Sequence, residues 1–297
     1  MEKRNFNDWL TTMNDSIATW NYYTDFDKVY KNVNSIKVEL NILNSLIKSK
    51  NIENDFKLLY KDYPQILRAI PILIAKRTTD IIIINDSVQK YYFNFKKRNY
   101  DIDDYILFMR NTGIFDLLEN HLIANLYDYV LGVEVGLDTN SRKNRTGISM
   151  ENLVESYIVQ AGFIKNINYF TQMTTSELKE KFDIDLSSIN LSEIFKGKEK
   201  NKKAEKKFDF VVKTKEKCYL IETNFYASSG SKLNETSRSY KELTLEFNHL
   251  NNVKFVWLTD GKGWKVTKRN LKETFDVLDD IYNINDMENG ILVDLLK

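Results

Sequence analysis

The sequence contains few of the residues from which several common kinds of functional site are built. Among its 297 residues there is one cysteine, Cys218, and there are two histidines, His121 and His249. One cysteine cannot form an internal disulfide, and two histidines far apart in the chain leave almost no basis for a His/Cys zinc site. A serine–histidine nucleophile is allowed by the count, but no other feature of the sequence supports it.

Net charge, proline content and apolar run length are also low. A formal net charge of +1 creates no overall field toward nucleic acid, so any such binding must come from local patches. The two prolines and the many aromatic residues are typical of a packed globular chain. The longest apolar runs, residues 70–75 and 81–84, are too short to span a bilayer, and residues 1–5 lack the apolar centre of a signal peptide. We therefore expect a soluble, cytoplasmic protein without a membrane partner.

Two neighbouring apolar segments organise the rest of the chain, because each carries an acid. Residues 208–212 contain Asp209, residues 218–225 contain Glu222, and the polar residues 214–217 separate them. This pattern predicts two strands joined by a turn. A hairpin folded about the middle of that turn places Asp209 opposite Glu222, with Cβ atoms about 5 Å apart. The pattern does not exclude a register one residue away.

Acids in apolar strands point to one of two arrangements. An unpaired carboxylate in apolar surroundings is costly, and two side by side repel, so a shared divalent cation would resolve both problems. Oxygen ligands suit Mg²⁺, which keeps several waters and activates one of them. In the other arrangement both acids lie at strand ends, where they face water or pair with lysine. Glu222 and Asn224 share one face of the strand in either case.

The chain divides into two predicted lobes. Apolar residues at helical spacing dominate residues 1–137, which we predict to be a mainly helical N-terminal lobe. Within it, residues 79–85 and 91–95 fit either a small hairpin or the ends of buried helices. Residues 138–297 read helix, strand, strand, helix, strand, which predicts a mixed α/β core flanked by helices. There, residues 170–191 are predicted to be a helix and loops on the outside, and the lysine-rich residues 196–207 either a phosphate-binding flap or a solubilising loop.

Two stretches are candidates for binding DNA. Residues 138–147 read as a basic loop before a helix capped by Ser149, and residues 227–230 as a turn before another helix, whose N-terminus can hold an anion. Guanidinium groups suit phosphates and guanine edges, and amides suit adenine, although such residues are also typical of a solvated surface. The candidate contacts are Arg142, Lys143, Asn144, Arg145, Ser231, Lys232, Asn234 and Arg238.

Several blocks of the chain together resemble the DpnII/MboI family of type II restriction endonucleases. They are residues 207–212 (Lys-Phe-Asp-Phe-Val-Val), 221–226 (Ile-Glu-Thr-Asn-Phe-Tyr), 230–240 (Gly-Ser-Lys-Leu-Asn-Glu-Thr-Ser-Arg-Ser-Tyr), 255–264 (Phe-Val-Trp-Leu-Thr-Asp-Gly-Lys-Gly-Trp) and 141–147 (Ser-Arg-Lys-Asn-Arg-Thr-Gly). The similarity is densest over residues 138–285 and continues more weakly through the N-terminal lobe.

The resemblance implies an enzyme that cuts double-stranded DNA at unmethylated GATC, 5′ of the G, with Mg²⁺. It implies a restriction–modification system with an adenine methyltransferase, and a homodimer, since GATC is its own reverse complement. It also implies the PD-(D/E)XK nuclease core, with metal at Asp209, Glu222 and Thr223. Glu151, otherwise explained by the helix dipole, matches a further catalytic acid of that core. The signature lysine position is Asn224 here, so the group that activates the water is open; we expect Asn224 to orient it.

Two other functions stay open on the sequence. A DNA-binding or regulatory protein on a decayed nuclease core is supported by the missing lysine alone, and both acids count against it. A repair-type nicking nuclease would share the core and differ in the product that it leaves.

Overall fold

The computed structural model describes residues 4–20, 22–84, 89–121, 124–194, 205–247, 249–250 and 252–297, and it divides into two compact units. One unit, here called the sheet unit, joins Met1–Thr19 to Lys143–Lys297. The other, here called the helical unit, is Trp20–Arg142. The boundary between the units follows Arg142, whereas the predicted boundary followed residue 137. The start of the chain belongs to the sheet unit.

Short helices make up most of the first half of the chain. In chain order the elements are α1 (Phe6–Thr11), α2 (Phe26–Asn34), α3 (Lys37–Leu43), α4 (Ile52–Asp62), β1 (Asp80–Ile84), β2 (Lys90–Asn94), α5 (Ile102–Asn111), α6 (Ile114–Asp116) and α7 (Leu126–Thr139). Helix ends follow local chemistry. Asn125, for example, begins α7 by accepting a hydrogen bond from the amide of Asp128 at 2.8 Å.

The helical unit closes over one apolar core. Its fully buried side chains include Phe56, Leu67, Tyr105 and Met109. Of the two alternatives for residues 79–95, the structure forms the hairpin: β1 and β2 are antiparallel, and Ile81 pairs with Phe93. Both of these side chains turn toward the core, so the hairpin is anchored by one face.

The second half of the chain carries a larger sheet and its flanking helices. The elements are α8 (Arg142–Gln160), β3 (Tyr169–Thr174), α9 (Thr175–Phe182), α10 (Leu191–Ile194), β4 (Lys207–Lys213), β5 (Cys218–Phe225), α11 (Ser231–Phe247), β6 (Val253–Asp260), α12 (Gly263–Val266), α13 (Lys268–Phe275), β7 (Ile281–Tyr282), α14 (Ile284–Glu288) and α15 (Ile291–Leu295).

Five strands form a mixed sheet in the order β3-β4-β5-β6-β7. The pairs β3/β4 and β4/β5 are antiparallel, whereas β5/β6 and β6/β7 are parallel. Apolar residues cover both faces, because alternate residues of β5 enter different cores: Leu220 joins Leu243 of α11, and Ile221 joins Val154 of α8. The predicted mixed α/β sheet between helices is confirmed.

The N-terminal helix α1 belongs to the sheet unit for a physical reason. The ring of Phe275 in α13 lies 5.3 Å from that of Phe6 and 4.9 Å from that of Trp9. The Trp9 indole also donates to Asp286 at 2.7 Å. These aromatic contacts join residues far apart in the sequence, so division of the chain into contiguous segments does not predict that α1 belongs to the sheet unit. In the part of the chain that the structure describes, no helix has the length and apolarity needed to cross a bilayer.

Three local predictions need correction or comment. Residues 170–191 were predicted to be a helix and loops, but they contain most of strand β3, which pairs with β4 at the sheet edge. The predicted basic loop 138–147 is helical over most of its length, because α7 ends at Thr139 and α8 begins at Arg142, so Ser149 lies inside a helix and caps nothing. The lysine-rich stretch 196–207 lies outside the described residues up to residue 204.

Candidate active site

Asp209 and Glu222 lie at the same level of the sheet, on neighbouring antiparallel strands. The ladder between β4 and β5 pairs Val211 with Leu220 and Phe210 with Ile221, so Asp209 and Glu222 come next in register. This is the register that a hairpin folded about the middle of its turn gives. Each acid nevertheless has its own set of partners.

Asp209 is half-buried and bonds mainly to neutral donors. One carboxylate oxygen accepts from the Thr223 amide at 2.8 Å and from the Thr223 hydroxyl at 3.2 Å. The other accepts from the Gln172 side-chain amide at 3.1 Å. Gln172 also donates to Glu151 of α8 at 3.3 Å, so one amide bridges the two acids. The structure therefore brings Glu151 beside Asp209.

Gln172 interrupts the edge of the sheet at this point. Its φ is 53°, in the left-handed region that residues other than glycine rarely adopt. The β3/β4 ladder pairs Thr171 with Phe210 and Met173 with Phe208, and it skips the intervening position of Gln172 and Asp209. This local break turns the amide toward the acids. Strained backbone of this kind is common at functional sites.

Glu222 is buried, with 5% of its surface exposed, and both of its oxygens are bonded. One accepts from the Lys206 ammonium at 2.5 Å, and the other from the Tyr240 hydroxyl of α11 at 2.6 Å. Burial raises the pKa of Glu222 to about 7; the Lys206 charge opposes that rise, and the Asp209 charge adds to it. The two acids are therefore close enough to interact electrostatically.

The pKa values of the surrounding groups shift for the same reasons. Burial, followed by the charge of Asp209, raises the pKa of Glu151. Burial, followed by the charges of Glu222 and Asp209, raises the pKa of Tyr240 well above its ordinary value. Tyr240 therefore stays a neutral hydrogen-bond donor to Glu222 at neutral pH. Acids with perturbed pKa values that cluster in this way are typical of a functional site.

The donor set at this position is made of oxygen atoms and suits Mg²⁺. Asp209 and Glu222 offer two carboxylates from adjacent strands, and Thr223, which follows Glu222 on β5, donates to Asp209. Over the described residues, no group of three His, Cys, Asp or Glu side chains is arranged to hold a metal ion, so Glu151 does not complete a ready cage. Mg²⁺ is commonly bound through one or two carboxylates, waters and substrate phosphate, and that mode fits the residues present.

Asn224 lies two residues beyond Glu222 and is partly committed to the core. Its carbonyl oxygen accepts from the Trp257 indole at 2.8 Å. An asparagine side chain carries no charge and takes up no proton at neutral pH, so only its NH₂ group remains to orient a water or a phosphate oxygen.

The candidate DNA contacts fall into two groups. Ser231, Lys232 and Arg238 are exposed on α11, whereas Asn234 is half-buried and accepts from Asn270 at 2.7 Å. Asn144 is exposed in the first turns of α8, and Arg145 is half-buried there. Arg142 donates to the Tyr23 carbonyl at 3.3 Å and stacks on the Tyr23 ring at 5.3 Å. The Lys143 side chain lies outside what the structure describes.

A glycine turn after β6 fixes the loop that leads from the acid strand to α11. Gly261 has a φ of 113°, and a Cβ there would overlap the carbonyl of Tyr226. A Cβ on Gly263 would lie 2.5 Å from the Ser228 carbonyl. The Gly263 amide donates to the Tyr226 carbonyl at 2.9 Å. The start of α11 is therefore held by a backbone contact that only glycine permits.

Sequence reasoning missed three residues of this site: Gln172, Lys206 and Tyr240. Tyr240 is one member of an apolar stripe on α11, and nothing in that stripe marks its hydroxyl. Lys206 is one of many lysines in its segment. A fully buried acid requires donors, and this requirement is the signal that could have prompted a search for them.

Comparison with known proteins identifies the class. The family model described as DpnII restriction endonuclease matches residues 5–294, so the chain is placed among the restriction endonucleases. "Type II restriction enzyme DpnII" of Streptococcus pneumoniae is 55% identical over 99% of both chains. "Type II restriction enzyme MboI" of Moraxella bovis is 36% identical over 94% of this chain and 92% of its own.

The protein belongs to the DpnII restriction endonuclease family. "Type II restriction enzyme MjaIII" of Methanocaldococcus jannaschii is a further relative, 40% identical over 98% of this chain and 99% of its own. No solved structure matches the chain. The resemblance stated from the sequence blocks is confirmed, and it extends over nearly the whole chain.

Proposed function

We propose that this type II restriction endonuclease hydrolyses double-stranded DNA at unmethylated GATC, 5′ of the G, with Mg²⁺ bound at Asp209 and Glu222. The observation that carries the site is the position of these two acids on adjacent strands, one step beyond the Phe210–Ile221 pair, where Tyr240 of α11 donates to Glu222. Family membership supports the reaction, and the resemblance to the DpnII/MboI family supports the GATC sequence.

In this mechanism the chain supplies ligands, orientation and charge. Asp209, Glu222 and Thr223 would hold Mg²⁺, which when bound would lower the pKa of a water and neutralise developing charge on the phosphate. Tyr240 and the Thr223 amide orient the two carboxylates through the bonds described above. The Asn224 NH₂ group orients the attacking water. The water oxygen bonds to phosphorus as the phosphorus–O3′ bond breaks and leaves its electron pair on O3′. The water loses a proton to solvent, and O3′ takes one from solvent.

The symmetry of the site on DNA requires two active sites. We propose a homodimer, one protomer acting on each strand, because a two-fold axis matches a sequence that is its own reverse complement. Methylation of the adenine by a partner methyltransferase would protect the host DNA, and we place the enzyme in the cytoplasm with that DNA.

A plasmid digest tests the proposal. Plasmid with unmethylated GATC should be linearised and fragmented in Mg²⁺ with ends 5′ of each G, and adenine-methylated plasmid should survive. Nicked circles without linear product would instead indicate a nicking nuclease. Binding of GATC duplex without any cutting would indicate a decayed core. Asp209→Ala should bind duplex in the absence of metal and fail to cut; normal cutting by this variant would refute the metal site.

A further inference from the structure

Lys206 brings a positive charge to the acid strand from a position that the sequence motif does not contain. It immediately precedes β4, and its ammonium donates to Glu222 at 2.5 Å. Its side chain is only 19% exposed. The charge therefore reaches the face of β5 that carries Glu222 and Asn224, where residue 224 is neutral.

The backbone of Lys206 is fixed from two sides. Its carbonyl accepts from the Thr175 amide at 3.2 Å. The preceding Glu205 carboxylate accepts from the Thr175 hydroxyl at 2.6 Å and from the Ser176 amide at the start of α9. The backbone of Lys206 is therefore held in a defined position just before β4, and its side chain extends from there to Glu222.

A purely structural ion pair is the competing explanation, and the same sheet offers a reference for it. Lys254 of β6 pairs with Asp280 at 3.0 Å, with side chains 38% and 12% exposed. Among the hydrogen bonds that the structure describes, none joins a second acid to Lys254 or Asp280. Lys254 lies three residues before Trp257 on β6. Lys206, by contrast, contacts one of the two carboxylates on which the proposed reaction depends. Buried pairs add little net stability, so stability alone does not account for it.

We propose that Lys206 is a catalytic residue that supplies the charge missing at position 224; this inference rests on the proposed function. Its ammonium donates a hydrogen bond to the attacking water and to a non-bridging oxygen of the scissile phosphate. The water oxygen forms its bond to phosphorus as the phosphorus–O3′ bond breaks, and the electron pair of that bond stays on O3′. The water proton passes to solvent, O3′ takes a proton from solvent, and Lys206 remains protonated throughout. Charge-assisted bonds of this kind are strong where water is excluded.

The test is single-turnover cleavage of pre-bound GATC duplex at saturating Mg²⁺. Lys206→Met should lower the rate constant by on the order of 10²–10³-fold, the effect of removing one donor aimed at the transition state. Lys206→Arg should keep more activity, because it keeps the charge. Lys254→Met removes the reference pair and should cut within about twofold of wild type, since it lies outside the site.

Two further measurements separate catalysis from folding. Without metal the Lys206 ammonium pairs with Glu222 and not with the phosphate, so duplex binding under that condition should be nearly unchanged in Lys206→Met. Such binding shows that the variant is folded. Isothermal titration with Ca²⁺ should show tighter binding to Lys206→Met, because the ammonium no longer competes for Glu222. Adding Asn224→Lys to Lys206→Met should return at least about tenfold in rate, since it restores a charge to the same face.

The outcomes are distinguishable. If wild type does not cut GATC plasmid, the proposed function fails. If wild type cuts and Lys206→Met cuts equally fast at saturating Mg²⁺, only the assignment of Lys206 is overturned, and its pair with Glu222 is structural. Loss of duplex binding in both Lys206→Met and Lys206→Arg would also overturn it, because the residue would then serve folding or binding.

Discussion

The two units of the molecule each bury a glutamate, but they surround it differently. Glu134 in the helical unit is 3% exposed, and Glu222 in the sheet unit is 5% exposed. Glu134 accepts from Arg77 at both oxygens, from Nη2 to Oε2 at 2.8 Å and from Nε to Oε1 at 3.3 Å, and Oε2 also accepts from Asn32 at 2.9 Å. Glu222 has one ammonium and one hydroxyl, and the charge of Asp209 acts on it as well.

The difference shows that burial of an acid does not by itself indicate chemistry. A guanidinium is always charged and matches a carboxylate with two parallel bonds, so the pair formed by Glu134 and Arg77 is complete. Glu222 has a second acid, Asp209, opposite it on the neighbouring strand, and that combination favours a further cation. The partners of a carboxylate, and whether another carboxylate is near, separate a structural acid from a functional one.

The largest expected effect concerns cleavage. Glu222→Gln should lower the cleavage rate by on the order of 10³-fold or more, because it would remove the charge of a proposed metal ligand, worth several kcal/mol to the transition state. Glu134→Gln, of the same chemistry in the other unit, should cut within about twofold of wild type. Single-turnover assays on GATC duplex measure both. Equal losses in the two variants would end the distinction between these acids.

The next effect is a pH dependence of stability in metal-free protein. The pKa of Glu222 is raised to about 7 by burial, from an ordinary value of 4.5. Its contribution to stability is therefore fully present below pH 4.5 and is lost as the pH rises through 7. Relative to Glu222→Gln, which cannot ionise, wild type should lose on the order of 3 kcal/mol over that range. Urea unfolding in EDTA checks this, and parallel pH profiles would contradict it.

Glu134→Gln should lower the free energy of unfolding and leave the cleavage rate nearly unchanged. The variant leaves Arg77 facing a neutral amide. Because the Arg77 side chain is 36% exposed, we expect a loss of about 2 kcal/mol, below the range for a fully buried pair. Thermal or urea unfolding measures it, with Glu53→Gln, half of an exposed pair with Arg110, as the mild control. A loss no larger than the control's would show that burial of Glu134 is irrelevant.

The smallest expected effect concerns DNA affinity. Lys232→Ala and Arg238→Ala remove exposed charges of α11, and each should reduce the slope of log affinity against log salt by about 1. Lys61→Ala, an exposed lysine of the helical unit, should leave that slope unchanged. Fluorescence anisotropy in Ca²⁺ across a salt series measures all three. Unchanged slopes for both α11 variants would remove this helix from the DNA interface.

Much of the sheet unit could be predicted from the sequence because its signals are local. The apolar runs with one acid each predicted β4 and β5, and the turn at residues 227–230 predicted the helix that follows it, α11. Strand β3 was missed because its residues are mixed in polarity and Gln172 breaks its regular backbone. The start of α8 was missed because Gly147 and the basic residues favour a loop locally, and the surrounding fold overrides that preference.

The site itself could be predicted only in part. Asp209 and Glu222 are marked by their apolar neighbours, and the hairpin register brings them to one level. Lys206, Tyr240 and Gln172 reach them from outside the hairpin, so their role depends on side-chain directions that no sequence pattern encodes. The pair of Glu134 with Arg77 could not be predicted from the sequence, because the two residues are 57 positions apart and meet only in the folded chain.

The central claim is that Asp209 and Glu222 hold one metal ion beside the scissile phosphate. A crystal of the protein with GATC duplex and Mn²⁺, with Lys206→Met used to slow cleavage, tests it by anomalous scattering. The account predicts an anomalous peak in coordination distance of both carboxylates and of the phosphate 5′ of the G. A peak elsewhere, with Asp209 and Glu222 free of metal and remote from the DNA backbone, would contradict it.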